Sequence, residues 1–305
     1  MDELYYDFTM NKRPKNKINK IMFIIFLIII IIVVSFSTYL GIKYAKDNIK
    51  VQESTNDETS KVSDDNSVNE DIKSTMNRIP IYTELGKERM NKVYSSTSDN
   101  KRVFLTFDDG PSSNITPLIL DVLKENNIKA TFFTLGSRVA QNPDIVKREY
   151  EEGHFIANHG YSHVYSSIYA SRNNLLDEYN RTEEAIRNAI GVPEYSSHLF
   201  RFPGGSVGGK YNKVKKEYKK LLAENQVFYV DWNCLNEDAS GNRTKEQLVE
   251  FIKKYSTGKN SVVVLMHDAG DKILTYESLQ EVIDYYKENG YVFCNFYDVI
   301  EYEEK

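Results

Sequence analysis

The chain has 305 residues, with 39 Lys and Arg against 44 Asp and Glu for a formal net charge of -5, which excludes a nucleic-acid binder held by a basic face. Hydrophobic residues make up 41%, and 15 Phe with 22 Tyr are too many aromatics for a wholly disordered chain. Two cysteines exclude a disulfide-dense scaffold.

The first predicted element is a membrane segment. Residues 1–20 form a basic tail carrying Lys12, Arg13, Lys15, Lys17 and Lys20, and Ile21–Val34 is an unbroken apolar run that continues without a charge to Ile42. As a helix, residues 21–42 would be roughly 33 Å long, matching the hydrocarbon core of a bilayer. Lys43, Lys46 and Lys50 with Asp47 follow, so the heavier cationic flank is the N-terminal one. This predicts a single-pass signal anchor in the cell membrane, with the N-terminus cytoplasmic and everything after about residue 43 outside. A buried core helix is disfavoured because the run has no polar face. A cleaved signal peptide competes, since Ser35 and Ser37 have the spacing of a cleavage site, and it would leave a secreted protein. Residues 43–77 read as an acidic, disordered linker: over 51–77 there are seven acids, two lysines and no aromatic, too little apolar area to offset ordering entropy. Residues 78–100 are a lead-in segment, and 101–305 a globular domain.

From Arg102 short apolar runs alternate with amphipathic stretches. Strands are predicted at 103–107, 130–135, 154–157, 199–202, 227–230, 262–266 and 291–296. Helices are predicted along the stripe Ile115, Leu118, Ile119, Val122, Leu123, and at 143–152, 173–190, 213–223, 245–255 and 278–287. Such alternation predicts an α/β fold, a distorted, TIM-like (β/α) barrel of about seven parallel strands. In such barrels chemistry sits in the loops after the strands, and five polar clusters fall there.

Asp108-Asp109-Gly110-Pro111 follows the first strand; adjacent carboxylates there point in different directions, so one can bind a metal while its neighbour acts as a base. Alone it also fits a plain acidic turn. His159 and His163, four apart, would share a face on a helical turn and reach one cation, or be two solvated imidazoles. Arg201 ends a strand before Pro203-Gly204-Gly205; it can grip a carboxylate in bidentate fashion or be a surface arginine before a turn. Asp231-Trp232 holds the only Trp and fits equally a core Trp with a capping Asp. Leu265-Met266-His267-Asp268 ends an apolar run abruptly. His154 and His198 lack such company and are assigned to structure.

In this order the five clusters resemble the motifs of the polysaccharide deacetylase family, carbohydrate esterase family 4, over roughly residues 101–300. The exported, anchored form is most similar to peptidoglycan N-acetylglucosamine deacetylases. The resemblance implies one divalent metal ion, Zn2+ first and Co2+ or another divalent ion as alternatives, held by Asp109, His159 and His163. It implies Asp108 as catalytic base held by Arg201, and His267 as general acid kept protonated by Asp231. Trp232 and Leu265 would shape the pocket for the acetyl methyl, and the Gly204 N–H would hold the oxyanion. The implied substrate is an extracellular glycan, peptidoglycan first, and deacetylation would leave a more cationic wall that muramidases recognise less well. N-acetylmuramic acid, poly-N-acetylglucosamine, chitooligosaccharide and acetyl xylan are alternative substrates, and a non-catalytic sugar-binding wall protein is the rival class. No nucleic acid and no protein partner is implied.

Two departures from the family pattern matter. Gly160 stands where Ser or Thr is frequent, removing a hydroxyl that would brace the His loop. Gly204 stands where Tyr is frequent, keeping the N–H and losing an aromatic wall. Cys234 and Cys294 would be able to pair outside the cell.

Overall fold

In the computed structural model residues 78–304 are described. The predicted span at 21–42 and the linker at 43–77 lie outside them. Among the described residues no helix is long and apolar enough to cross a membrane.

Strand β1 (Arg78–Pro80) and helix α1 (Glu84–Asn91) lead in. The barrel then runs through β2 (Arg102–Asp108), α2 (Thr116–Glu125), β3 (Thr131–Thr134), α3 (Gly136–Gln141), α4 (Pro143–Glu151), β4 (Phe155–Asn158), α5 (Tyr165–Ile168) and α6 (Arg172–Ile190). It continues with β5 (Leu199–Phe200), α7 (Asn212–Glu224), β6 (Phe228–Tyr229), β7 (Cys234–Leu235), α8 (Lys245–Ser256), β8 (Ser261–His267), α9 (Ile273–Glu288) and β9 (Val292–Cys294). After a 3-10 turn at Phe296–Asp298 comes β10 (Tyr302–Glu304), antiparallel to β1.

All ladders of the main sheet are parallel, in the order β6-β5-β4-β3-β2-β8-β7. Its edge strands β6 and β7 do not pair, but they are two pieces of one extended segment. Phe228 and Val230 donate their N–H groups to His198 and Phe200 of the β5 edge, and Asn233 and Asn236 donate to Val263 and Leu265 of β8. The sheet is thus an open half-barrel of parallel strands, its two edges joined by chain continuity and not by a ladder. Strand β9 pairs only with the first half of β2, residues 102–104, while β3 takes 106–108. That sharing is the distortion of the barrel.

Strand alternation sorts the core. Val103, Leu105 and Phe107 face outward onto Ile119 and Leu123 of α2, Ile252 of α8 and Val282 of α9. Phe104 faces the other way, with Phe133, Phe155, Val263 and Phe296; each buried ring contributes roughly 1.5–3 kcal/mol. The same period carries Thr106 and Asp108 to the inner face. Helix ends follow local chemistry: Ser171 caps α6 through the Asn174 N–H, and Thr244 with Gln247 forms a capping box on α8. Arg102 donates to the carbonyls of Lys92, Val93 and Ser95, tying the lead-in to the start of β2.

The cysteines are both free thiols. Cys234 packs among outward-facing residues and Cys294 against the inner cluster, so their side chains serve opposite faces of the sheet.

Candidate active site

Asp108, the last residue of β2, is buried together with Arg201, which follows β5 on the inner face. Arg201 Nη1 donates to Asp108 Oδ1 at 2.7 Å and to Thr106 Oγ1 at 2.6 Å. Its Nη2 donates to the Asp231 carbonyl (3.1 Å), its Nε to the Val230 carbonyl (3.3 Å), and its guanidinium lies 3.8 Å from the Phe133 ring centroid. The expected bidentate grip is therefore a single bond, because the rest of the fork is spent on backbone carbonyls. Burial raises the Asp108 pKa, outweighing the lowering effect of Arg201 and of His267.

Asp109 is turned out of the strand by a left-handed backbone, φ 75°. A Cβ on Gly110 would lie 2.0 Å from Asp268 Oδ2, so only glycine fits the turn. Asp268 is itself held by the Thr116 hydroxyl at 2.6 Å.

His159 and His163 follow β4, in a loop and not on a helical turn as expected; His163 has φ 57°. Gly160 lacks the bracing hydroxyl, but Glu178 of α6 does that work. Its Oε2 accepts from the Tyr161 and Ser162 N–H groups, each at 2.7 Å, and its Oε1 from the Ser162 hydroxyl at 2.7 Å. Glu178→Ala is expected to weaken cation affinity about 10–100-fold by loosening the loop under His163; competition with a chelating dye reads that loss.

Asp109, His159 and His163 each offer a ligand atom, and these lie within 4.8 Å of one another. Asp109 Oδ1 is 3.5 Å from His159 Nε2 and 3.3 Å from His163 Nε2. Bonds of the length zinc makes to N and O, arranged as a tetrahedron, place neighbouring ligands about 3.4 Å apart. His159 Nδ1 donates to the Arg201 carbonyl at 2.8 Å, and burial pushes the imidazole pKa down to about 3. Its Nε2 is thus an unprotonated acceptor facing a carboxylate oxygen. That oxygen is buried and has no hydrogen-bond partner. Acceptors turned on one another in this way fit a divalent cation between them.

On the neighbouring strand His267 is in register with Asp108. Its Nδ1 lies 2.7 Å from Asp238 Oδ1, and its N–H donates to Asp238 Oδ2 at 2.8 Å. Thr275 adds a 2.7 Å bond to the same carboxylate. Burial lowers the His267 pKa, but the Asp238 bond and charge, with Asp108 and Asp109, bring it up to about 9. The imidazolium therefore persists through neutral pH with Nε2–H free to donate. Asp238→Asn removes the main raising contributions and leaves the burial. The alkaline limb of kcat/KM, expected near pH 9, should move to lower pH, as a pH–rate profile will show.

Asp231 does not hold His267. Its Oδ1 accepts from the Ser206 N–H at 2.8 Å and its Oδ2 from the Ser206 hydroxyl, tying down the loop at 204–209. Trp232 packs over that loop, its ring edge 3.1 Å from where a Gly205 Cβ would lie. Leu265 is buried on β8 beside Leu235. Gly204 has φ 72°, and its N–H has no acceptor among the described residues. A buried carboxylate, an imidazole held by a second carboxylate, and a cation cradle at the ends of adjoining strands suit hydrolysis of an amide or ester.

The sequence profile of the polysaccharide deacetylases matches residues 95–222. A peptidoglycan-N-acetylglucosamine deacetylase of Bacillus cereus is 32% identical over 212 residues, covering 68% of this chain and 91% of that relative. The chain belongs to the polysaccharide deacetylase family. A peptidoglycan-N-acetylglucosamine deacetylase of Listeria monocytogenes is 37% identical over 194 residues, 64% of this chain; the chain spans only 38% of that relative. A CE4 esterase of Streptococcus mutans has the same fold, with TM-score 0.61 at 32% identity, covering 71% of this chain and 92% of that one.

Within this polysaccharide deacetylase fold, the carboxylate that holds His267 is Asp238, where Asp231 was expected. Cys234-Leu235 is a two-residue strand, and Asp238 lies in the loop that follows it. A strand so short has no apolar run to mark its end.

Proposed function

We propose that the chain is a metal-dependent N-deacetylase acting on the N-acetylglucosamine of peptidoglycan. The observation that carries this reading is the cradle of Asp109, His159 and His163 beside the Asp108–Arg201 pair, with the His267–Asp238 pair on the adjoining strand. The relatives named for that substrate support the choice of glycan. Zinc suits two imidazoles and a carboxylate with a position left open, and when bound it supplies Lewis acidity toward a carbonyl oxygen and a water. Asp108, ionised and oriented by Arg201, accepts the proton of the attacking water. The Gly204 N–H stabilises the charge that develops on the acetyl oxygen. His267 donates its Nε2 proton to the leaving nitrogen as the C–N bond breaks, giving acetate and a free sugar amine, and Asp238 stabilises the imidazolium until that transfer. Leu265 and Trp232 bound the space for the methyl group.

The apolar run at 21–42 and its cationic N-terminal flank support attachment to the cell membrane with the catalytic domain outside, facing the wall. Deacetylation would then give the wall amines that lower its recognition by muramidases. The test compares muropeptide masses from cells with and without the gene. Glucosamine amines present in the parent and absent from the mutant support the reading; unchanged muropeptides contradict it.

A further inference from the structure

The loop carrying His163 runs straight into Tyr165, the first residue of α5. Tyr165 is 37% exposed, and its hydroxyl has no hydrogen-bond partner among the described residues. Three contacts nonetheless fix the ring. It meets the His163 imidazole edge-on at 5.4 Å between centroids, and Tyr169 edge-on at 5.9 Å. Tyr169, buried, donates its hydroxyl to the Pro203 carbonyl at 2.7 Å and so fastens α5 to the loop after β5. The third contact is with Gly204: a Cβ there would lie 2.8 Å from Tyr165 Oη and 3.1 Å from its Cε2. A side chain at 204 and the Tyr165 ring would claim the same space.

We infer that Tyr165 is a substrate-binding residue, forming the aromatic wall of the site against which the glycan at the cation cradle packs. Gly204 is what admits the ring. A pyranose presents an apolar C–H face and a rim of hydroxyls, and tyrosine is matched to it, with an apolar ring and a polar tip. Because neighbours already hold the ring, little side-chain freedom remains to be lost on binding.

This inference rests on the proposed glycan chemistry but is tested separately from it. Tyr165→Ala and Tyr165→Phe are made in the zinc-loaded full chain and, for binding alone, on an Asp108→Asn parent. The probe is the N-acetylglucosamine tetramer. Tyr165→Ala is expected to raise KM, and Kd on the Asp108→Asn parent, about tenfold. It should leave kcat within about threefold and zinc content unchanged, and Tyr165→Phe should keep most of the affinity because the ring is retained. Wild-type KM and Kd in Tyr165→Ala would overturn the inference. So would lost zinc with falling kcat at constant KM, which would make Tyr165 a prop for His163, and so would no saturable binding by the Asp108→Asn parent. If the parent binds the tetramer but the wild type releases no acetate, the proposed reaction fails while the Kd comparison still decides the role of Tyr165.

Discussion

Asp108→Asn is expected to lower kcat for acetate release by about 10²–10⁴-fold, the usual contribution of a positioned general base. The amide oxygen still accepts from Arg201 Nη1, so the fold and the neighbouring cradle should persist, but an amide cannot take a proton from water. Metal content and KM should change little, which separates this loss from the loss caused by stripping the cation. Acetate release at saturating substrate, with metal analysis of the same sample, reads both. A variant retaining more than about a tenth of wild-type kcat would remove Asp108 from the mechanism.

The second large effect is on stability. Arg201 is fully buried and has four acceptors: Asp108, Thr106 and two backbone carbonyls. Arg201→Met leaves the Asp108 carboxylate buried without its partner, a change that costs about 3–5 kcal/mol. The carboxyl escapes part of that cost by taking up a proton. Losing the Arg201 charge removes a lowering influence, so the pKa of Asp108, already raised by burial, rises further. Activity, which needs the ionised form, should therefore appear only at higher pH than in the wild type. Pairing Arg201→Met with Asp108→Asn should recover part of the lost stability, because the uncompensated charge is gone. Denaturant unfolding of the four proteins in the cycle measures the coupling; strict additivity would contradict the ion-pair account.

The residues legible in the sequence are those where a long apolar run stops at a polar group. Val103–Phe107 ends at Asp108 and Asp109, and Val262–Met266 ends at His267. Where β4 and β5 end, His159, His163 and Arg201 stand out in the same way. Strand alternation then settled direction, since Thr106, Asp108 and Arg201 meet on the inner face. Short elements whose segments carry neither an apolar run nor a helical period were not legible, as at β1, α3, α5, β7 and β10. Asp231 was expected beside His267 only from the family resemblance, carried onto the acid next to Trp232. The chain at 228–235 is a single stave that changes neighbour from β5 to β8, and a sequence read as one strand per run sees only its first half. The acid next to Trp232 then stands in for the one seven residues later. Glu178 and Tyr165 act through tertiary contacts with loops, which no local pattern encodes.

The proposed reaction depends most on a cation shared by Asp109, His159 and His163. Anomalous diffraction at the zinc edge from crystals of the zinc-loaded protein tests it directly. One peak is expected about 2.0–2.2 Å from Asp109 Oδ1, His159 Nε2 and His163 Nε2. A peak elsewhere, or none in crystals of protein that still releases acetate, would contradict it.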